Sequence, residues 1–162
     1  MSGRIAISRE TTEVPVRKTL FETQSMLSDA GAQSINVDYD PLTKSPTAIS
    51  FRLKDEYGLM YPFYLAARVK NVSKVREKAR KQRIRNREAF EEQSARIAWR
   101  ILKERIQSYL TGIQLGQTSV REVLLSYIQT ASGKTVFESL NERRFAGLLA
   151  DKERAANEAG DH

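Results

Sequence analysis

The chain has 162 residues, an apolar content of 40% and a formal net charge of +7 at pH 7. This length fits one domain with a hydrophobic core of its own. The sequence has no Cys, and its only His is the last residue, which excludes disulfides, Cys-based zinc sites and His-based catalytic triads. No apolar run approaches the ~20 residues of a membrane span, and the N-terminal residues carry no apolar signal segment. We therefore expect a cytoplasmic protein with no membrane contact.

The N-terminal part predicts a short strand and then a helix. Residues 4–8 have the alternation of a strand, and Pro15 is suited to the first turn of a helix because its missing N–H would be unpaired there. Apolar residues recur at helical spacing up to Leu27, and Gly31 is placed to end the helix in a left-handed conformation. We expect this helix over residues 15–30.

Three strands follow, predicted at residues 33–40, 47–54 and 59–67 because apolar and polar residues alternate there. The turn before the third strand contains Gly58, which suits a tight hairpin, and Pro62 places the third strand at an edge of the sheet. Short connections favour an antiparallel meander with one face covered by the first helix.

A long amphipathic helix is predicted from about residue 87 to residue 115, since apolar residues repeat every three or four positions. Trp99 adjoins this stripe and is expected in the core. Such a helix exceeds what a small sheet needs, so we expect part of its stripe to contact another subunit. Short helices capped near Ser119 and beginning near residue 136 should follow. We expect a single α+β domain over residues 1–150 and a disordered tail over residues 151–162.

Residues 68–87 form the most charged segment of the chain, and we expect either a helical segment or a mobile arm that becomes ordered on contact with an anion. Ten of these twenty residues are Lys or Arg and only Glu77 is acidic, so the segment carries +9 while the rest of the chain sums to −2. Such localised charge favours a polyanionic partner, and the phosphate backbone of a nucleic acid is the leading candidate. The alternative is a solvated helix that promotes solubility.

The candidate nucleic-acid-binding residues come from this segment and from the outward face of the predicted sheet. A cationic sheet surface with an aromatic ring is suited to single strands, because charges contact phosphates and rings stack on bases. The set is Lys74, Arg76, Lys78, Arg80, Lys81, Arg83, Arg85, Arg87, Arg52, Lys54 and Tyr64. Phosphate contacts position a strand without specifying its sequence, so we expect sequence-independent binding.

Motifs for catalysis are weak. The GKT at residues 133–135 resembles the end of a phosphate-binding loop, but position 128 is Ile where that motif requires Gly. Asp38, Asp40, Asp55 and Glu56 lie near the ends of predicted strands and could hold Mg²⁺ in a nuclease-like site, but acidic residues at turns are usually solvated turn formers. We expect no enzymatic activity, no metal and no cofactor.

Residues 95–140 (sequence ARIAWRILKERIQSYLTGIQLGQTSVREVLLSYIQTASGKTVFESL) are similar to small phage and prophage proteins of uncertain function, and the likeness covers about residues 14–149. The order of helix, three-stranded meander and long basic helix also resembles the core of phage single-strand annealing proteins. That resemblance implies single-stranded DNA as ligand, a homo-oligomer, no cofactor, and the cytoplasm of the host cell as location.

From the residues and the resemblance together, we expect a non-catalytic protein of phage DNA recombination or replication that binds single-stranded DNA or RNA. If it is an annealing protein, it also pairs complementary strands. The alternative is a phage structural or assembly protein whose long helix makes subunit contacts and whose basic run meets an acidic partner or packaged DNA. A third possibility is a small accessory protein that docks on a host enzyme.

Overall fold

The computed structural model describes residues 11–148, so the strand predicted at residues 4–8 and the tail at residues 151–162 lie outside the described part. The order of elements is helix, three strands and then helices, which confirms the predicted α+β fold. The elements are α1 (Val16–Asp29), β1 (Gln33–Tyr39), β2 (Pro46–Lys54), β3 (Met60–Ala66), α2 (Val69–Ala79), α3 (Arg87–Gln114), α4 (Val120–Leu124), a 3-10 turn (Leu125–Tyr127) and α5 (Val136–Glu142).

Helix α1 begins and ends where the sequence predicted. Pro15 lies directly before its first residue. At the other end Gly31 has a φ of +86°, its N–H donates to Ser28 O, and the next N–H, of Ala32, donates to Leu27 O. These two bonds form a Schellman motif, which satisfies carbonyl groups that the helix end would leave unpaired.

The three strands form an antiparallel meander of order β1-β2-β3, as predicted. Strand β3 is an edge of this sheet, and beside Pro62 its outer side carries a single bridge between Phe63 and Ile128. The β2–β3 turn is held by Asp55, whose carboxylate accepts hydrogen bonds from the N–H groups of Tyr57 and Leu59.

One face of the sheet packs against the helices. Ile49, Phe51, Phe63 and Leu65 are almost fully buried and belong to one apolar cluster with residues of α1, α3 and α4. Trp99 is fully buried in α3, and its indole N–H donates to Pro46 O at 3.1 Å. Trp99 therefore belongs to the core, as predicted.

Two contacts orient α3 relative to the sheet. Trp99 lies over the start of β2, and beyond the end of α3, Arg121 contacts Glu56 in the turn that follows β2. The turns of α3 that precede Trp99 therefore extend past the sheet, and Arg87 lies about 18 Å from Trp99 along the helix axis. Helix α2 packs on these turns.

Most of the apolar stripe of α3 is buried within the chain itself. Its buried residues extend from Phe90 to Leu110 and meet α1, α2 and the sheet. The length of α3 is thus explained by α2 packing beyond the sheet, which the sequence did not predict.

The basic segment is not one helix. Helix α2 ends at Ala79, residues 80–86 are irregular, and α3 begins at Arg87 with the Asn86 side chain accepting a hydrogen bond from Ala89 N–H. The expectation of a helix over residues 68–87 is therefore wrong for residues 80–86. This connection carries four cationic side chains, those of Arg80, Lys81, Arg83 and Arg85. None of its residues is buried.

Both short C-terminal helices are capped by a capping box. Ser119 and Glu122 form one at α4, and Thr135 and Glu138 form the other at α5. Thr135, in the GKT sequence, thus has a structural role. No helix between residues 11 and 148 is long and apolar enough to cross a membrane.

Candidate nucleic-acid interface

Helix α2 presents two different faces. Val69 and Val72 pack against the core, and Ser73 is buried with its hydroxyl donating to the Glu91 carboxylate of α3. Lysines 70, 74 and 78 are exposed on the outer face and recur every four residues, which places them along one side of the helix. We call Lys70, Lys74 and Lys78 the lysine stripe.

Arg76 faces the other way, into the junction of α2 and α3. It is 7% exposed, and its guanidinium donates to Phe90 O at 2.9 Å and to Ser94 Oγ at 2.8 Å. A cation held this way joins the two helices. Arg76, which the sequence predicted to bind phosphate, is therefore largely buried.

The Phe90 ring is a shared contact for three guanidinium groups. Those of Arg76, Arg80 and Arg87 lie 4.4, 5.6 and 5.9 Å from the ring centroid. These distances are within the range of favourable cation–π attraction. Arg80 is thereby oriented by the ring while its side chain stays exposed.

Between the end of α2 and the first turns of α3 lies an open cleft of about 440 Å³, which we call the arginine cleft. Residues from both helices and from the connection between them form its walls. Its lining residues are Arg76, Arg80, Gln82, Arg83, Ile84, Arg85, Asn86, Ala89, Phe90 and Gln93.

The lining of the arginine cleft is cationic and carries no carboxylate. Arg80, Arg83 and Arg85 supply exposed guanidinium groups, and amide side chains supply neutral polar groups. Lys81 is exposed on the same connection without lining the cleft. Guanidinium groups bind phosphate oxygens with two parallel hydrogen bonds, so this lining is suited to phosphate.

Arg87 is held by acidic neighbours. Its guanidinium donates to Glu77 at 3.0 and 3.3 Å and forms an ion pair with Glu91 at 3.5 Å. The hydrogen bond raises the pKa of Arg87 and lowers the pKa of Glu77. Arg87 does not line the cleft. Its charge is compensated by the Glu77 and Glu91 carboxylates.

The predicted sheet residues lie elsewhere. Arg52, Lys54 and Tyr64 alternate with buried core residues and therefore project from the face of the sheet opposite the one that packs on α1 and α3. Lys54 pairs with Met60 at the start of β3, whereas α2 begins after the end of β3. The structure does not bring this group together with the arginine cleft.

Tyr64 is half-buried beside acidic groups. Burial, together with the nearby Asp38 and Glu138 carboxylates, raises the pKa of its hydroxyl. These two carboxylates would repel a phosphate group near the Tyr64 ring.

The acidic residues considered as metal ligands are separated. Asp38 lies opposite Ala48 near one end of the sheet, and Asp55 and Glu56 lie at the other end, where both form ion pairs with Arg121 at 3.3 and 2.8 Å. Within residues 11–148 no three His, Cys, Asp or Glu side chains are grouped as metal ligands would be.

Some residues of the interface are not apparent from the charge pattern of the sequence. The amides Gln82, Asn86 and Gln93 line the cleft, yet a search by charge ignores them. Lys70 belongs to the lysine stripe, and its spacing of four residues from Lys74 is the signal that could have identified it.

Comparison of the chain with protein families, with curated proteins and with solved structures finds no significant match.

Proposed function

We propose that this protein is a non-catalytic, sequence-independent nucleic-acid-binding protein with a preference for single strands. One observation carries the proposal: the exposed arginines of residues 80–86 line an open cleft that contains no carboxylate. Keeping several cations close together costs electrostatic energy, which an anionic ligand offsets.

The proposed contact surface joins the cleft to the lysine stripe. Lys78 lies near the end of α2, directly before the connection that carries the arginines. The proposed contact residues are Lys70, Lys74, Lys78, Arg80, Lys81, Arg83 and Arg85. Arg76, which is largely buried, and Arg87, which is exposed but paired with Glu77 and Glu91, are not proposed as contacts. The group of Arg52, Lys54 and Tyr64 is not part of this surface.

The shape of the surface favours a flexible ligand. A strand following the stripe must turn into the cleft where α2 ends, and a single strand bends there more easily than a duplex, which has a persistence length of about 50 nm. Backbone tracking by positive charge also needs no base sequence.

The proposed test is fluorescence anisotropy with a labelled single strand and with the same sequence as a duplex, over a series of salt concentrations. A variant with Arg80, Arg83 and Arg85 changed to Ala should bind the single strand more weakly. Its plot of log affinity against log salt should be shallower by up to about 0.7 for each phosphate that the variant no longer neutralises.

The matched control removes the same charge elsewhere. Arg105, Lys134 and Arg143 are exposed and do not line the cleft, so changing them to Ala should leave most of the affinity and the salt slope. Equal, weak binding of both nucleic-acid forms, or equal losses of affinity in the two variants, would contradict the proposal.

Self-association is a further part of the proposal, since several clefts side by side would bind one strand with avidity. Most of the apolar stripe of α3 is buried within the chain, whereas Phe21 is 69% exposed on α1, so we place the contact at α1. Light scattering of the wild type and of Phe21→Ser tests this: a lower mass in the variant supports it, and a monomeric wild type contradicts it.

A role in phage recombination or replication, with or without strand annealing, rests on the resemblance alone and stays a prediction.

A further inference from the structure

We propose that the arginine cleft receives the terminal phosphate of a strand, a phosphomonoester, in preference to an internal phosphodiester. The inference rests on the proposed function, because it assigns the part of a nucleic acid that occupies the cleft.

The first argument is charge. Arg80, Arg83 and Arg85 are exposed and all three line one cleft, whose lining has no acidic residue. An internal phosphodiester brings one negative charge. A terminal phosphate carries about −1.5 to −2 at neutral pH, which compensates the cleft more fully.

The second argument is the number of oxygen atoms. A phosphodiester has two non-bridging oxygens, and one guanidinium fork uses both of them. The cleft is lined by three exposed arginines together with the amide residues Gln82 and Asn86. A phosphomonoester has three free oxygens and can accept from more than one guanidinium at the same time.

The third argument is size and surroundings. The cleft of about 440 Å³ lies in the range of sites for a single small ligand unit, so its arginines share one phosphate more readily than they track several. Arg80 is held against the Phe90 ring at 5.6 Å, which reduces the conformational entropy that binding would cost.

A strand end is favoured over a free nucleotide by the position of the lysine stripe. Lys78 and then Lys74 lead away from the cleft along the exposed side of α2. A mononucleotide in the cleft would not reach these lysines, whereas the following phosphates of a strand would contact them.

The test uses one internally labelled oligothymidylate in three forms: with a 5′-phosphate, with a 3′-phosphate, and with hydroxyl groups at both ends. We expect one of the phosphorylated forms to bind about five- to tenfold more tightly than the hydroxyl form, as an added charge-assisted contact would give. Equal affinity for all three forms overturns the inference and leaves the proposed function intact. Failure of every form to bind overturns the proposed function.

Two variants separate the end contact from backbone contacts. Arg83→Ala should bring the phosphorylated and hydroxyl forms to the same affinity while the hydroxyl form still binds. Lys74→Ala should weaken all forms by a similar factor and preserve the preference. A preference that survives in Arg83→Ala, Arg80→Ala and Arg85→Ala alike contradicts the inference.

Competition with thymidine monophosphate distinguishes the source of the phosphate. If the cleft binds the end of a strand, the mononucleotide should compete much more weakly than the phosphorylated oligonucleotide. Equal competition overturns the assignment to a strand end, because the lysine stripe would then contribute nothing.

Discussion

The guanidinium of Arg76 lies 4.4 Å from the centre of the Phe90 ring and also donates to the carbonyl oxygen of that same residue at 2.9 Å. One side chain of α2 is thus bound to both the backbone and the ring of the residue that begins the buried stripe of α3. This contact fixes the distance between two helices whose connection carries the cleft arginines.

Replacing Arg76 should destabilise the protein. Arg76→Met leaves the Phe90 carbonyl and the Ser94 hydroxyl with fewer partners in a buried site, and we expect a decrease of about 2–3 kcal/mol in the free energy of unfolding. Urea unfolding followed by circular dichroism measures it. Arg80→Met is the control, because Arg80 contacts the same ring but is exposed. Equal midpoints for the two variants would show that Arg76 does not join the helices.

Trp99→Phe should be costly although it keeps an aromatic ring. Trp99 is fully buried and its N–H donates to Pro46 O, so the change leaves a cavity and removes a hydrogen bond to that carbonyl, at a cost of about 2–4 kcal/mol. Circular dichroism is the suitable signal because Trp99 is the one tryptophan. Tyr57→Phe, at a position 73% exposed, should change stability little, and a comparable destabilisation there would refute the explanation.

Gly31→Ala should be unfavourable for reasons of backbone conformation alone. Its φ is +86°, and an added Cβ meets no atom within 4 Å. The left-handed conformation should cost the Ala variant about 1 kcal/mol. Gly31→Asn should lose less stability, since Asn tolerates this conformation. If both variants melt at the wild-type temperature, the Schellman motif does not stabilise the end of α1.

The stability of the protein should depend on Glu22 in acid. The hydrogen bond from Lys103 holds the pKa of Glu22 below its ordinary value of 4.5. Because the unfolded chain takes up this proton at a higher pH, the contribution is present above pH 4.5 and disappears as pH falls through the folded pKa. The difference in melting temperature between wild type and Glu22→Gln should therefore shrink as the solution is acidified.

A second variant checks the cause of this pH dependence. Lys103→Gln removes the hydrogen-bond donor to Glu22. The stability of this variant should therefore depend less on pH over the same acid range. A gap between wild type and Glu22→Gln that stays constant down to acid pH would exclude the hydrogen bond as its origin.

The elements of the fold were accessible from the sequence because local signals determine them. Alternation of apolar residues defined the strands, Gly31 defined the end of α1, and Ser119 with Glu122 defined the start of α4. These signals depend on neighbours in the chain, so a single sequence contains them.

The candidate site was harder to predict because charge does not report direction. Arg76 and Lys74 are equivalent in a count of cations, yet one is buried on α3 and the other is exposed. The difference depends on where α3 lies relative to α2, which is a tertiary contact. The two valines of α2 that pack on the core, Val69 and Val72, gave a weak signal of its inward face.

The irregular connection at residues 80–86 contributes no buried residue to the core. The helices on either side of it are joined by Arg76, Ser73 and the Phe90 ring rather than by the connection itself. The arginine-bearing part of the proposed contact surface thus lies outside the packed core. Substitutions in it can alter ligand preference at little cost in stability, which makes this connection the natural place for related proteins to diverge and for an engineer to change binding.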